Sequence, residues 1–281
     1  MLLGYNTNGL ANHDPFQAID LLADVGYRSV ALTLDHGPLN PFANDWPEQR
    51  SKLRDVLGKR DLASVIETGA RYLLDPRVKH EPTLVTADPQ QAAKRIDFLC
   101  RAIDAAELLG GRCVSLWSGV VRDASPAETI WARLLERLSL VLDHAQRRGV
   151  AVGFEPEPGM FIDTLEKFAE LKSRCSSPQL KLTLDVGHLH CQGELPIPEK
   201  IAHWGSLLVN VHIEDMRRGI HEHLMFGEGE MDFPPIIAAM AEAGYRGGIH
   251  VELSRHSHDA PNAVRKAFDF LHPLVKPYAA G

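Results

Sequence analysis

The sequence has few cysteines, no long apolar run and no excess of positive charge. Its 281 residues include 4 cysteines, Cys100, Cys113, Cys175 and Cys191, without C-x-x-C spacing. This scatter argues against a zinc knuckle and a disulfide framework, and a reducing cytoplasm is the expected location. The apolar stretches are shorter than the ~18 residues of a membrane span. The start, MLLGYNTNG, has no basic segment, so neither membrane insertion nor export is expected.

A basic surface is also missing from the composition. Lys and Arg number 30 against 37 Asp and Glu, which gives a formal net charge of -7. Proteins that bind nucleic acid neutralise phosphates with clustered positive charge, so no nucleic-acid partner is expected. With 44% hydrophobic and 24% charged residues, the chain can bury a sizeable core. We predict one globular domain over residues 1–281.

Apolar, β-branched segments alternate along the chain with longer segments of helical period. Eight strands are predicted, at 2–6, 29–34, 62–68, 113–118, 150–155, 180–185, 207–213 and 248–253. Helices are predicted between them, for example at 14–26, 90–110 and 125–149. This alternation predicts an α/β fold, a (β/α)8 TIM barrel. A doubly wound open sheet is the alternative, but no G-x-G-x-x-G follows the first strand.

Four polar side chains stand where four successive predicted strands end. Glu155 ends the fifth strand, Asp185 the sixth, His212 the seventh and Glu252 the eighth. In a closed barrel these ends converge on one mouth. Three crowded carboxylates repel one another unless a cation neutralises them. We therefore predict a divalent metal site with oxygen-rich ligands, although Asp185 has the alternative role of capping the next helix.

The same residues carry motifs that resemble a known family. D-x-x-H begins at Asp185, H-x-x-x-x-x-R begins at His212 and G-x-G begins at Gly227. Together with the four strand-end residues they resemble the xylose-isomerase-like TIM barrels, which include ketose 3-epimerases, sugar isomerases, inosose dehydratases and endonuclease IV. The resemblance spans essentially the whole chain. It implies a metal-dependent sugar isomerase or epimerase with a sugar or cyclitol substrate and, by analogy, a homo-oligomer. Mn²⁺ is the favoured cofactor, with Co²⁺, Mg²⁺ and Zn²⁺ as alternatives.

The resemblance implies roles for the four strand-end residues. A metal chelated by the carbonyl and neighbouring hydroxyl of a ketose acidifies the adjacent C–H and stabilises a cis-enediolate. Glu155 and Glu252 would bind the metal and also transfer the proton, one on each face of this planar intermediate. Asp185 and His212 would be ligands without a proton-transfer role.

Further substrate contacts are expected around the mouth. By the same resemblance, His188 and Arg218 would hydrogen-bond the substrate oxygen next to the reacting carbon, with Arg217 as an alternative to Arg218. Asn6 ends the first strand and Trp117 closes the fourth, so both are expected to contact substrate, although Trp117 is as well suited to packing a loop. The chain shows no Gly-rich phosphate cradle after the seventh or eighth strand, which slightly favours an unphosphorylated substrate.

Two other activities are consistent with parts of this pattern. A lyase or dehydratase acting on a keto-cyclitol or 3-keto-glycoside would remove the same proton and then expel a β-substituent. An endonuclease IV-like phosphodiesterase is the other alternative, since His188, His221 and His223 would gather a second metal. That enzyme uses further histidines after the third and fourth strands, where VIETGARY and VSLWSGV have none. Accordingly, His221 and His223 are expected in a solvated loop or against substrate hydroxyls.

Overall fold

Eight parallel strands close into a barrel in the computed structural model, which describes residues 1–279. The barrel strands are β1 (Leu2–Asn6), β2 (Ser29–Thr33), β3 (Ala63–Glu67), β4 (Cys113–Leu116), β5 (Ala151–Phe154), β6 (Leu180–Asp185), β7 (Leu208–Ile213) and β10 (Gly248–Val251). β10 pairs with both β1 and β7, which closes the sheet. The predicted (β/α)8 TIM barrel is confirmed, and each predicted strand matches one barrel strand.

Helices alternate with the barrel strands. They are α1 (Pro15–Val25), α2 (Trp46–Arg60), α3 (Pro89–Leu109), α4 (Ala127–Arg148), α5 (Leu165–Arg174), α6 (Val186–Gln192), α7 (Ile197–Trp204), α8 (Phe233–Glu242) and α9 (Ala260–Val275). Helix α1 begins after Asp14, whose side chain accepts the N–H groups of Phe16 and Gln17, and it ends at Gly26 with φ 119°. Within residues 1–279, no helix has both the length and the apolar character needed to cross a membrane.

An antiparallel hairpin is inserted after β7 and was not predicted from the sequence. It consists of β8 (Asp215–Arg217) and β9 (Ile220–Leu224). The Asp215 carboxylate accepts hydrogen bonds from the backbone N–H groups of Gly227 and Gly229, at 2.8 and 3.0 Å. A Cβ atom at Gly229 would collide with this carboxylate. The G-x-G segment is therefore where the chain wraps closely around Asp215 and fixes the hairpin.

The barrel interior contains buried polar side chains as well as apolar ones. Ser115 donates to the Thr183 hydroxyl at 3.0 Å, from β4 to β6. Asn210 on β7 contacts Glu67 on β3, two strands that are not neighbours in the sheet, so this contact passes through the interior. TIM barrels usually fill this space with branched aliphatic residues. The polar interior lies below the mouth at which the predicted ligands are found.

Candidate active site

The four predicted ligands come together at the carboxyl ends of β5, β6, β7 and β10. One donor atom from each of Glu155, Asp185, His212 and Glu252 lies within 4.8 Å of the other three. His212 Nδ1 is 3.0 Å from Glu155 Oε1, 3.0 Å from Glu252 Oε2 and 4.0 Å from Asp185 Oδ2. The Glu252 side chain is the most exposed of the four, at 17%. Three carboxylates and one imidazole thus share one largely buried space.

Backbone pairing holds these side chains in place. Asp185 and His212 are directly paired between β6 and β7. The N–H of Glu155 donates to Leu116 O at 2.8 Å and that of Glu252 donates to Ile213 O at 3.1 Å. Each glutamate, although one residue beyond its strand, is therefore bonded to the neighbouring strand. The barrel register, rather than a mobile loop, sets the geometry of the cluster.

Asp185 serves two purposes with its two carboxylate oxygens. Oδ1 accepts the N–H of His188 at 2.9 Å and caps helix α6. Oδ2 is buried and has no hydrogen-bond partner among the residues that the structure describes. A buried acceptor without a partner costs about 1–3 kcal/mol, so Oδ2 is well suited to a cation. The capping role and the ligand geometry are compatible in one residue.

The electrostatics of the cluster also favour a cation. Burial raises the pKa of Glu155, and despite the attraction of His212 it stands at about 7. Burial lowers the pKa of His212, but Glu67, Glu155 and Glu252 outweigh burial and raise it well above its ordinary value. Burial raises the pKa of Glu252, but His212 outweighs this and the net shift is downward. The raised pKa values of Glu155 and His212 show that protons on these two residues offset part of the negative charge of the cluster, and a divalent cation would offset it in their place.

Three histidines form a second group beside the ligand cluster. One nitrogen from each of His188, His221 and His223 lies within 4.8 Å of the others. His221 and His223 lie on strand β9 rather than in a loop, and both line the cavity above the ligand cluster, so contact with substrate, the alternative expectation, stays a prediction. His188 Nε2 is 3.4 Å from Asp185 Oδ2, and burial lowers the pKa of His188 to about 4. Burial lowers the pKa of His223, but the adjacent Glu214 carboxylate outweighs it and holds this pKa at about 10.

A cavity of about 290 Å³ opens above the ligand cluster. Asn6 and Trp117, both predicted to face substrate, line it. Asn6 Oδ1 also accepts the Asn8 N–H at 3.0 Å and the Thr33 hydroxyl at 2.8 Å, so it stabilises the turn after β1. Trp117 carries the Arg95 guanidinium over its ring at 4.9 Å. Its position is consistent with both loop packing and substrate contact.

The other residues predicted to contact substrate lie in different parts of the structure. His188 is buried beside Glu155, with its Nδ1 3.8 Å from Glu155 Oε1. Arg218 is exposed at the hairpin turn, where its N–H donates to Glu230 Oε2 at 3.2 Å. Arg217 donates a side-chain N–H to Glu228 O at 2.9 Å. Neither arginine belongs to the part of the described chain that lines the cavity, because the unpredicted hairpin directs both of them to solvent.

Several lining residues were not identified from the sequence. They are Thr33, Gly69, Lys79, His80, Met160, Ser254 and Arg255. All of them except Thr33, which ends β2, lie on loops after strands. Loop residues have no periodic signal that would show which side chains turn inward. Polarity after a predicted strand is a signal for Lys79, His80, Ser254 and Arg255, but not for Met160.

Comparisons with known proteins identify similar chains. A profile described as "Xylose isomerase-like TIM barrel" matches residues 19–274. The L-ribulose-5-phosphate 3-epimerase UlaE of Salmonella paratyphi C (strain RKS4594) is 24% identical over 261 residues, covering 91% of this chain and 88% of that protein. A solved D-allulose 3-epimerase from Methylomonas sp. in complex with D-allulose has a TM-score of 0.75 at 20% identity, covering 97% of this chain and 96% of that one. The IolI protein with a bound zinc atom has a TM-score of 0.77 at 18% identity, covering 100% of both chains. The two solved structures share the fold.

Proposed function

Because this chain belongs to the xylose isomerase-like TIM barrel family, we propose that it is a metal-dependent sugar isomerase or epimerase. The main support is the group of Glu155, Asp185, His212 and Glu252, whose donor atoms lie within 4.8 Å of one another at the barrel mouth. The epimerase names of similar proteins favour a ketose as the substrate. The runner-up is a lyase that begins with the same proton removal.

The four clustered residues would hold the metal ion. Their oxygen-rich donor set with one imidazole suits Mn²⁺, with Co²⁺, Mg²⁺ and Zn²⁺ as alternatives. The unpartnered Asp185 Oδ2 and the raised pKa of Glu155 are what such a site should show before a cation enters. When bound, a divalent cation polarises a substrate carbonyl and lowers the pKa of the adjacent C–H.

Glu155 and Glu252 would transfer the proton. They follow β5 and β10, which are separated in the barrel by β6 and β7, and they approach His212 Nδ1 from different strands. One carboxylate would take the proton from the carbon next to the carbonyl, and the other would return a proton from the opposite face, inverting that carbon. Asn8 Nδ2 donates to Glu252 Oε1 at 2.8 Å and so orients this carboxylate.

The cavity favours a single small polar substrate. Its volume of about 290 Å³ is at the lower end for small-molecule sites, which suits one monosaccharide or cyclitol. Arg71, Lys79 and Arg255 line it, although Arg71 is paired with Asp35 at 2.7 Å and Arg255 is paired with Glu222. These cations provide contacts for a phosphate, so both phosphorylated and unphosphorylated ketoses belong in the test.

The test is proton exchange in deuterated water. The metal-loaded protein is incubated with ketoses, ketose phosphates, inososes and 3-keto-glycosides, and products are followed by proton NMR with Glu252→Gln as the control. We expect deuterium at the carbon next to the carbonyl together with the epimer or isomer, and neither with Glu252→Gln. Loss of water or of an aglycone would identify a lyase instead. Absence of exchange across the panel, together with nicking of abasic DNA, would contradict both.

A further inference from the structure

A chain of buried hydrogen bonds crosses the barrel interior and ends on His212. The Ser29 hydroxyl is 2.8 Å from His250 Nε2, and His250 Nδ1 is 2.7 Å from Asn210 Oδ1. Asn210 Nδ2 donates to Glu67 Oε1 at 2.8 Å, and the same oxygen is 2.9 Å from His212 Nε2. All five residues are buried. We refer to Ser29, His250, Asn210 and Glu67 as the interior chain.

The direction of each hydrogen bond follows from Glu67. An ionised carboxylate only accepts hydrogen bonds, so both Asn210 Nδ2 and His212 Nε2 must donate to Glu67 Oε1. The Asn210 amide then presents Oδ1 to His250, which must carry its proton on Nδ1. In the neutral His250 ring, Nε2 accepts from the Ser29 hydroxyl.

Asn210 Nδ2 also lies 3.1 Å from His212 Nε2. With Nε2 donating to Glu67, His212 Nδ1 carries the second proton of a charged ring, because it lies 3.0 Å from both Glu155 Oε1 and Glu252 Oε2. A metal ion would replace that second proton and leave the proton on Nε2.

The interior chain needs space inside the barrel, and providing that space lowers the stability of the fold. A Cβ at Gly4 or at Gly248 would collide with the His250 ring, so two strand positions lack side chains beside it. Glycine in a strand gives up packing and backbone order, and buried polar groups are less favourable than well-packed aliphatic ones unless fully hydrogen-bonded. An ordinary barrel interior of Val, Ile and Leu would avoid both costs. A role beyond filling space would account for these residues.

We propose that Glu67 is a positioning residue which, supported by Asn210 and His250, holds the proton of His212 on Nε2 and so presents Nδ1 to the metal. The proposal rests on the metal site of the proposed function. Nδ1 is the nitrogen that faces the carboxylates, at 3.0 Å from both Glu155 Oε1 and Glu252 Oε2. A carboxylate on the far nitrogen also makes a ligating imidazole more basic and fixes its ring orientation. The interior chain extends this support from Glu67 to Ser29 on β2.

Metal affinity measured without substrate tests this role. Binding of Zn²⁺ is followed by titration calorimetry for the wild type, Glu67→Gln, Glu67→Met and Asn210→Leu. Glu67→Met removes the acceptor and should weaken binding about 100-fold, whereas Glu67→Gln keeps a neutral acceptor and should weaken it about tenfold. Asn210→Leu, which removes only the support of Glu67, should also weaken binding about tenfold. Ser115→Ala is the control, because it removes the buried hydrogen bond from Ser115 to Thr183, which is not part of the interior chain. This variant should bind Zn²⁺ with an affinity within about twofold of the wild type.

A second measurement is made on the wild type and uses a variant only to assign one signal. Long-range ¹H–¹⁵N NMR of ¹⁵N-histidine-labelled, Zn²⁺-loaded wild type should show His212 protonated on Nε2, with its signal assigned by its loss in His212→Asn. A proton on Nδ1, or wild-type affinity in a folded Glu67→Met variant, would overturn the positioning role alone. A wild type that binds no Zn²⁺, Mn²⁺ or Co²⁺ would overturn the proposed function and this inference with it.

Discussion

Asp185 shows how much one side chain contributes at the barrel mouth. Its Oδ1 caps the N-terminus of helix α6 by accepting the His188 N–H, while Oδ2 lies between His188 and His212 and has no hydrogen-bond partner within the described residues. The neighbouring Glu155, by contrast, has a pKa raised to about 7 by burial. Burial also acts to raise the pKa of Asp185, but the attraction of His188, His223 and His212 outweighs it, so the pKa of Asp185 is instead lowered. Substitutions can separate these contributions.

Asp185→Asn should separate ligand loss from helix capping. The amide oxygen can still accept the His188 N–H, so the free energy of unfolding without metal should change by less than about 1 kcal/mol. The affinity for Mn²⁺ should fall by more than the roughly 10–100-fold that is typical when a residue hydrogen-bonded to a metal ligand is replaced. Titration calorimetry and urea unfolding measure the two quantities. Unchanged Mn²⁺ affinity would remove Asp185 from the ligand set.

Metal affinity should depend on pH in two regimes. Glu155 has a pKa of about 7 and that of His212 is raised well above its ordinary value, so a cation must displace protons from both below pH 7 and mainly from His212 above it. The logarithm of the association constant should therefore rise by about two per pH unit below pH 7 and by about one above it. Calorimetry in buffers of different ionisation enthalpy counts the released protons. The same slope on both sides of pH 7 would contradict the assignment.

The β8–β9 hairpin is the element that distinguishes this mouth from a plain barrel. It carries His221 and His223 toward His188 and turns Arg218 away from the cavity. Its base is held by Asp215, whose two oxygens accept the N–H groups of Met216, Gly227, Gly229 and Met231. One buried carboxylate thus organises the segment that positions two histidines.

Replacing that carboxylate should destabilise the fold. Asp215→Asn removes the charge and one acceptor oxygen, which leaves N–H donors around the buried Asp215 side chain unpaired and should lower the free energy of unfolding by about 2 kcal/mol. Asp232→Asn is the matched control because Asp232 is exposed and its side chain makes no cap hydrogen bond to helix α8; its effect should stay within about 0.5 kcal/mol. Urea unfolding of the two variants measures both changes in the free energy of unfolding. Equal stabilities would show that the hairpin is held by other contacts.

At the scale of the whole molecule, barrel closure creates the site. Glu155 and Glu252 lie far apart in the chain and meet because β10 pairs with β7, which pairs with β6 and, through it, β5. A cation that binds both glutamates therefore links strands from the middle and the end of the chain. Since an unfolded chain does not assemble the four ligands, metal binding should stabilise the folded state.

Heat unfolding tests this linkage. At a Mn²⁺ concentration one hundred times Kd, the free energy of unfolding should increase by about 2.7 kcal/mol. For a domain of this size the melting temperature should rise by about 5–10 °C. Chelation by EDTA should reverse the shift, and Asp185→Asn should show a much smaller one. A wild-type melting temperature unaffected by Mn²⁺, Co²⁺ and Zn²⁺ would contradict a metal site built from these four residues.

The sequence by itself determined the barrel and the four clustered polar residues at its mouth. Strand and helix periodicity are local properties, and the rule that strand ends converge at one face was enough to bring Glu155, Asp185, His212 and Glu252 together. Only the tertiary structure decided the rest. The hairpin that moves Arg218 away depends on contacts between Asp215 and a distant G-x-G segment. The interior chain from Ser29 to His212 joins side chains on β2, β10, β7 and β3, and no local pattern shows which inward-facing groups meet inside a closed barrel.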